Sequence, residues 1–426
     1  MSCLLNDDLI KNIAEKYGTP VYIFDEDELN LRVERIYKIL NDGLSRNKIA
    51  LCYSVKANPF LIPSLLKGSV VDKLEVCSPG ELEICRNYSV PGEMIIYSGV
   101  RKEEEDITEA LSYGADIVTA ESLRHFELIR RTAKKLDKEV KVLLRLSSKS
   151  QFGMSAEDIE EILENRSGDP LVSVEGIHYF AGTQRLKLRH QKEELKELAG
   201  FISGLRERYG IALARLEYGP GLGYPYFVGD DRENTLRPLE ELCCDLREIS
   251  GMCDLTVEMG RFTASSCGYY ITKVADKKRS FDRNWCILDG GINHLNYQGQ
   301  MMGMMVPVIR RIPLNGAGPE TGGLSGSGEE EEWALCGALC TTNDVLVRSI
   351  RMTEPELSEL FVFCNAGAYS VTEAMNLFLS RDMPAVVLAG NGKDELLRGS
   401  METWRLNCRL TGTEPGKQGS IAGAQP

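Results

Sequence analysis

Histidine is scarce in this chain: four in 426 residues, His125, His178, His190 and His294. None stands beside a cysteine pair at metal-ligand spacing, so no metal site is expected. No apolar run approaches the roughly 18 residues that cross a bilayer. Met1 to Asp8 lacks the basic start and long apolar core of a signal peptide. The expectation is a cytoplasmic protein with no membrane attachment. The formal charge is −13 and no basic cluster stands out, which argues against nucleic acid as a partner. The 13 cysteines are odd in number and form no framework. Cys52, Cys77, Cys286 and Cys364 sit in apolar, strand-like runs, as reduced thiols do.

What is present reads as a soluble globular chain, 43% hydrophobic and 27% charged, long enough for one large or two ordinary domains. A helical pattern over Asp7 to Tyr17 and a strand over Val21 to Phe24 precede an amphipathic helix from Asp27 to Leu40. Eight short apolar runs then alternate with helical patterns: Ile49–Val55, Leu74–Cys77, Met94–Tyr97, Asp116–Thr119, Val140–Leu146, Val174–Phe180, Leu216–Tyr218 and Leu255–Glu258. Eight βα repeats predict a closed (β/α)8 barrel, with an open doubly wound sheet as the alternative.

After residue 275 apolar runs recur without helices, at Trp285–Leu288, Met304–Pro307, Trp333–Leu335, Val345–Val347, Leu360–Cys364 and Ala385–Leu388. The expected organisation is an N-terminal segment (1–25) packing with a β domain, a barrel (26–275), and a mostly β domain (276–410). Residues 315–332, rich in Gly, Ser and Glu, read as a mobile insertion, and 411–426 as a disordered tail.

Barrels place chemistry at the C-terminal ends of their strands. Lys56 ends the first run, in Cys52-Tyr53-Ser54-Val55-Lys56-Ala57-Asn58-Pro59. A lysine among apolar groups either snorkels to the surface or loses part of its basicity and becomes a nucleophile for carbonyl carbon. Gly219-Pro220-Gly221-Leu222-Gly223 ends the seventh run, where glycines admit backbone N–H groups to a phosphate; Pro220 removes one donor. Gly260 and Arg261 follow the eighth run, and an arginine fork binds phosphate oxygens. A reactive lysine and a phosphate site on one barrel face suggest pyridoxal phosphate. Glu258 then suits the pyridine nitrogen, with a salt bridge to Arg261 as its plainer role.

These residues resemble the fold-type III pyridoxal-phosphate decarboxylases, the group acting on diaminopimelate, ornithine and arginine. The shared motifs run from Tyr53 to Tyr369. Tyr53 to Asn58 is similar to the family's Schiff-base motif, which places the cofactor on Lys56. Gly219 to Gly223 resembles its phosphate loop, and Glu258-Met259-Gly260-Arg261 its Glu-Pro-Gly-Arg. Gly367-Ala368-Tyr369 resembles the segment whose tyrosine contacts the cofactor phosphate. In Gly337 to Cys340 the resemblance makes Cys340 a catalytic residue that reaches the neighbouring subunit's site. It implies an alanine-racemase-like fold and a homodimer with shared active sites. In Gly176 to Gln184 it implies cofactor contacts from His178, Phe180 and Thr183.

The departures bear on substrate. Phe180 stands where the family carries a ring-stacking histidine, and stacks through its own face or serves the core. Thr341 replaces the acid that binds a distal ammonium, and Asp289 to His294 lacks a nearby arginine for a second carboxylate. Both weaken diaminopimelate, lysine and ornithine as substrates. The Cys-Thr variant resembles a branch used in specialised biosynthesis, which includes the butirosin-pathway decarboxylase of carrier-bound glutamyl groups. The implied activity is decarboxylation of an amino acid with altered specificity, free or carrier-bound. An amino-acid racemase and a non-catalytic pyridoxal-phosphate regulator are the alternatives.

Overall fold

The computed structural model describes residues 5–68, 70–165, 170–210, 214–313, 324 and 328–409. Its first strand, β1 (Val21–Asp25), is followed by a helix, Glu26–Asn41, opened by the Asp25 side chain accepting the Glu28 N–H. Eight strands then close a parallel barrel: β2 (Ala50–Ser54), β3 (Lys73–Val76), β4 (Ile95–Tyr97), β5 (Ile117–Ala120), β6 (Val140–Arg145), β7 (Val172–Phe180), β8 (Arg215–Gly219) and β9 (Asp254–Glu258). Closure runs through Ala50↔Thr256 and Cys52↔Glu258. Each of the eight apolar runs in the sequence supplies one barrel strand.

The helix Leu123–Leu136 shows how the outer layer forms. Ser122 caps it by accepting the His125 N–H at 3.2 Å. Phe126, Ile129 and Ala133 recur at helical spacing and are buried, and the helix stops at Asp137 in a left-handed conformation.

Beyond the barrel come β10 (Gly268–Ser280), β11 (Arg283–Leu288), β12 (Ile309–Ile312), β13 (Glu330–Cys336), β14 (Val345–Thr353), β15 (Leu360–Cys364), β16 (Ala385–Gly390) and β17 (Lys393–Arg398). With β1 they form a nine-stranded sheet ordered β14-β13-β11-β10-β1-β16-β17, while β15 pairs β10 and carries β12. The N-terminal strand thus lies inside a sheet otherwise built from the last third of the chain. It is antiparallel to β10 and parallel to β16.

Three expectations need correction or limits. Met304–Pro307 is not a strand: the chain reaches it from a turn with positive φ at Met301, Met302 and Gly303, and only an isolated Phe227↔Pro307 bridge forms. Glu330–Glu332, expected at the end of a mobile insertion, begins β13, paired with Thr353, Met352 and Arg351. Arg351 on the adjacent β14 and Arg279 on β10, one strand further off, lie within 3.8 Å of Glu330 and Glu331 and offset that acidic run. The rest of the insertion except Leu324 and Gly328–Glu329, like the tail 411–426, lies outside the described residues.

Candidate active site

Alternation along strands stacks the barrel interior in layers. Cys52, Ile96, Ile117 and Leu143 form a small apolar cluster of their own. Two residues further along the same strands stand Ser54, Ser98, Thr119 and Arg145, all buried. The other four strands place Glu75, His178, Glu217 and Glu258 in the interior, each at most 5% exposed. The barrel is therefore apolar at depth and ionisable toward its C-terminal mouth.

β2 ends at Ser54 and the chain turns through a short 3₁₀ segment, Val55–Ala57. Pro59 holds Asn58 extended. The buried Asn58 amide donates to the Gly367 carbonyl at 2.8 Å, and the Tyr369 N–H donates to the Ala57 carbonyl at 2.6 Å. The Lys56 turn is thereby fastened to the loop after β15.

Lys56 Nζ lies 2.6 Å from Glu75 Oε2, 3.5 Å from Glu258 Oε1 and 3.6 Å from Cys77 Sγ. Burial favours the neutral amine, but Glu75 and Glu258 together outweigh it, and Lys56 is held well above the usual lysine range. The sequence reading expected the opposite, because it missed Glu75. About a third of the Lys56 side chain, 37%, stays open to solvent at the mouth. Glu75 is pushed up to about 7, first by burial and then by the charge of Glu258. Burial opposes ionisation of Glu258 too, yet Lys56 and His178 hold it well below the carboxylate range. The Ser54 hydroxyl donates to Glu258 at 2.7 Å. His178 Nε2 stands 3.5 Å from Glu258 without hydrogen-bond alignment, and burial lowers its pKa.

Among the described residues Glu217 has no hydrogen-bond partner on either oxygen. Its donor atom lies within 4.8 Å of those of His178 and Glu258. Burial, then the charges of Glu258 and Glu75, raise its pKa well above the carboxylate range. A raised acid stabilises the fold fully below its unfolded value, near 4.3, and that contribution is lost as pH rises toward the folded value. Glu217→Gln is therefore expected to melt higher than the parent, by a margin that widens from pH 5 to pH 8 in the cofactor-free protein. A margin independent of pH would show that Glu217 is not held protonated.

The opposite wall is built from glycine. Gly221 has φ +59, and a Cβ on it would sit 1.7 Å from the Gly182 carbonyl oxygen. A Cβ on Gly219 would meet the Phe180 ring at 2.4 Å. These close approaches let the loops after β7 and β8 pair, Arg185 N–H to Gly221 O at 2.9 Å and Gly223 N–H to Arg185 O at 3.2 Å. Pro220 contributes its carbonyl, which accepts from Gln191 at 3.3 Å. Arg261 donates to Thr183 Oγ1 and to the Tyr226 hydroxyl, both at 3.2 Å, and lies 4.4 Å over the Tyr369 ring. Burial pushes the Tyr369 hydroxyl up to about 12. Lys56, Phe180, Thr183, Gly221, Glu258, Gly260, Arg261 and Tyr369 line one cleft.

Of the sequence-predicted residues, Cys340 and Thr341 stand apart. Both follow β13 on a loop ordered by Asp344, which accepts the Ile292 and Leu339 N–H groups. Cys340 is exposed, and neither residue lines the cleft of its own chain. The sequence reading missed Glu75, Cys77, Glu217, Ser54 and Tyr226. A lone carboxylate inside a short apolar barrel strand was the available signal for Glu75 and Glu217. The cleft offers an amine for an aldehyde, a carboxylate for a ring nitrogen, and an arginine with glycine-freed backbone for a phosphate. That donor set fits pyridoxal phosphate.

Residues 27–265 match the sequence pattern of the pyridoxal-dependent decarboxylases, pyridoxal-binding domain. The chain belongs to that family and is a pyridoxal-phosphate-dependent amino-acid decarboxylase. It is 27% identical over 407 residues to the diaminopimelate decarboxylase of Zymomonas mobilis, covering 91% of this chain and 92% of that one. It is 26% identical over 410 residues to the L-glutamyl-[BtrI acyl-carrier protein] decarboxylase of Niallia circulans, covering 91% and 93%. The fold superposes on the diaminopimelate decarboxylase of M. jannaschii with a TM-score of 0.81 at 24% identity, over 95% of this chain and 94% of that one.

Proposed function

We propose that the chain decarboxylates an α-amino acid, free or carrier-bound, whose distal group is not a cation. The observation that carries the chemistry is Lys56 between Glu75 and Glu258, in the cleft that also holds Arg261. Bound pyridoxal phosphate supplies an electron sink for the bond broken at the α-carbon. Lys56 would hold its aldehyde, Glu258 would keep the ring nitrogen protonated, and Phe180 would offer its ring to the cofactor's. Arg261, Thr183, Tyr369 and the Gly219, Gly221, Gly223 and Gly260 backbone would hold the phosphate. His178 stands 3.5 Å from Glu258 in the same buried layer.

Lys56 is held protonated, and an amine that is to hold an aldehyde would have to give up that proton. Glu75, 2.6 Å away and poised near neutrality, is the acceptor. The chain works as a cytoplasmic homodimer in which Cys340 of the partner subunit returns a proton to the substrate carbon. Thr341 beside it is uncharged and pairs poorly with a distal ammonium. The Niallia circulans relative is named for a carrier-bound glutamyl substrate, which supports a place in specialised biosynthesis.

The test is CO2 release from the cofactor-loaded protein. It would be offered meso-diaminopimelate, lysine, ornithine, arginine, glutamate and a glutamyl-loaded carrier protein in parallel. Release is expected from a glutamyl or other non-cationic substrate only. Rapid release from lysine or ornithine would overturn the substrate class and leave the enzyme class intact.

A further inference from the structure

A cavity of about 460 Å³ lies between the helix Glu26–Asn41, the loop after β8, and strands β12 and β15. It is separate from the cofactor cleft, yet Ser266, five residues after Arg261, lines it. Its size falls within the range of small-molecule sites. Arg32, Arg35, Arg232 and Arg310 all face it, against Glu28 and Glu233.

Two buried residues lining it each carry a polar atom with no partner among the described residues. Arg32 is 4% exposed. Its Nε donates to the Phe262 carbonyl at 2.6 Å and Nη1 to Thr235 Oγ1 at 2.8 Å, but Nη2 has no acceptor. The guanidinium is pinned over the Phe262 and Tyr224 rings, at 4.8 and 5.2 Å, so its free edge is fixed in direction. Ser266, 9% exposed, has an unpartnered hydroxyl. Arg310 is engaged by the Leu5 carbonyl and Asp7. Glu233 stands 3.8 Å from Arg237. Arg35 and Arg232 are exposed and have no carboxylate within ion-pair distance among the described residues.

Buried donors without acceptors are costly, and cations gathered round a cavity attract what supplies acceptors. We propose that this cavity binds the oxyanion of a small polyanionic metabolite, a phosphate ester or a polycarboxylate. The anion accepts from Arg32 Nη2 and the Ser266 hydroxyl, with Arg232 and Arg35 closing over it. Its binding is independent of the substrate assignment above, because Lys56, Glu258 and Arg261 do not line the cavity.

Calorimetric titration of the cofactor-loaded enzyme with inorganic phosphate, and separately with malonate, tests this. Cofactor occupancy keeps the Arg261 site from competing, and an unchanged visible absorbance through the titration checks it. Saturable binding is expected, weakened about tenfold or more in Ser266→Ala and in Arg232→Ala, and abolished in Arg32→Gln. Phosphate alone binding assigns a phosphate ester, and malonate binding as well assigns the polycarboxylate class; both support the site. Absence of binding by the parent, or equal binding by Ser266→Ala and Arg232→Ala, overturns it. Those two variants decide the matter if Arg32→Gln does not fold.

Discussion

Lys56→Ala is expected to cut CO2 release by about 10³-fold or more and to abolish the visible absorbance of lysine-bound cofactor. Among the described cleft residues Lys56 alone carries an amine, so no neighbour replaces it as the cofactor's covalent anchor. The substitution also removes the cation that opposes burial at Glu75 and Glu258, 2.6 and 3.5 Å away. Glu75, already raised to about 7, is then expected to stay protonated further into the alkaline range. Cofactor absorbance that survived in the variant would take Lys56 out of this role. The same protein tests subunit sharing. Mixed with a Cys340→Ala variant, it should regain up to about a quarter of parental activity if the proposed homodimer shares its sites, since half the dimers would then be hybrid and each would hold one intact site. No recovery in a mixture shown to exchange subunits would place Cys340 outside the neighbouring site.

Glu258→Gln is expected to lower turnover by about 10²–10³-fold while leaving the cofactor bound and coloured. A carboxylate holds a proton at the ring nitrogen and an amide does not. The cofactor would keep Lys56, Arg261 and the glycine wall, so loading should change little. Ser54 and His178, which now face a carboxylate, would meet a neutral amide at the same place. Glu258 is also the second carboxylate raising Lys56, so the free lysine should titrate lower in the cofactor-free variant. Unchanged turnover with cofactor bound would move the ring-nitrogen role to another acid, and Glu217 is the nearest unpartnered one.

The architecture was legible because the βα rhythm is a local signal. Each of the eight runs is short and apolar, and each became one barrel strand. The glycine wall and Arg261 were legible because loops after strands 7 and 8 converge in any such barrel. The protonation pattern was not. Lys56 reads as a lone lysine in its own segment, while Glu75 lies 19 positions on, and only pairing β2 with β3 brings them together. The false strand at Met304–Pro307 is the reverse error. Valine fits a strand by type, and of the three positive-φ residues before the run, Met301, Met302 and Gly303, only the glycine leaves a mark in the residue types.

The position of β1 has a consequence for how the protein is made. Val21–Asp25 leaves the ribosome before any barrel strand, yet its partners are Gly268–Ile271 and Ala385–Ala389. Domains fold as units during synthesis, N-terminal parts first. Here the whole barrel is translated while β1 waits with both hydrogen-bonding edges open. Five consecutive buried residues make it adhesive during that interval. Nascent chains stalled between residues 260 and 385 should therefore be the ones that depend most on a chaperone.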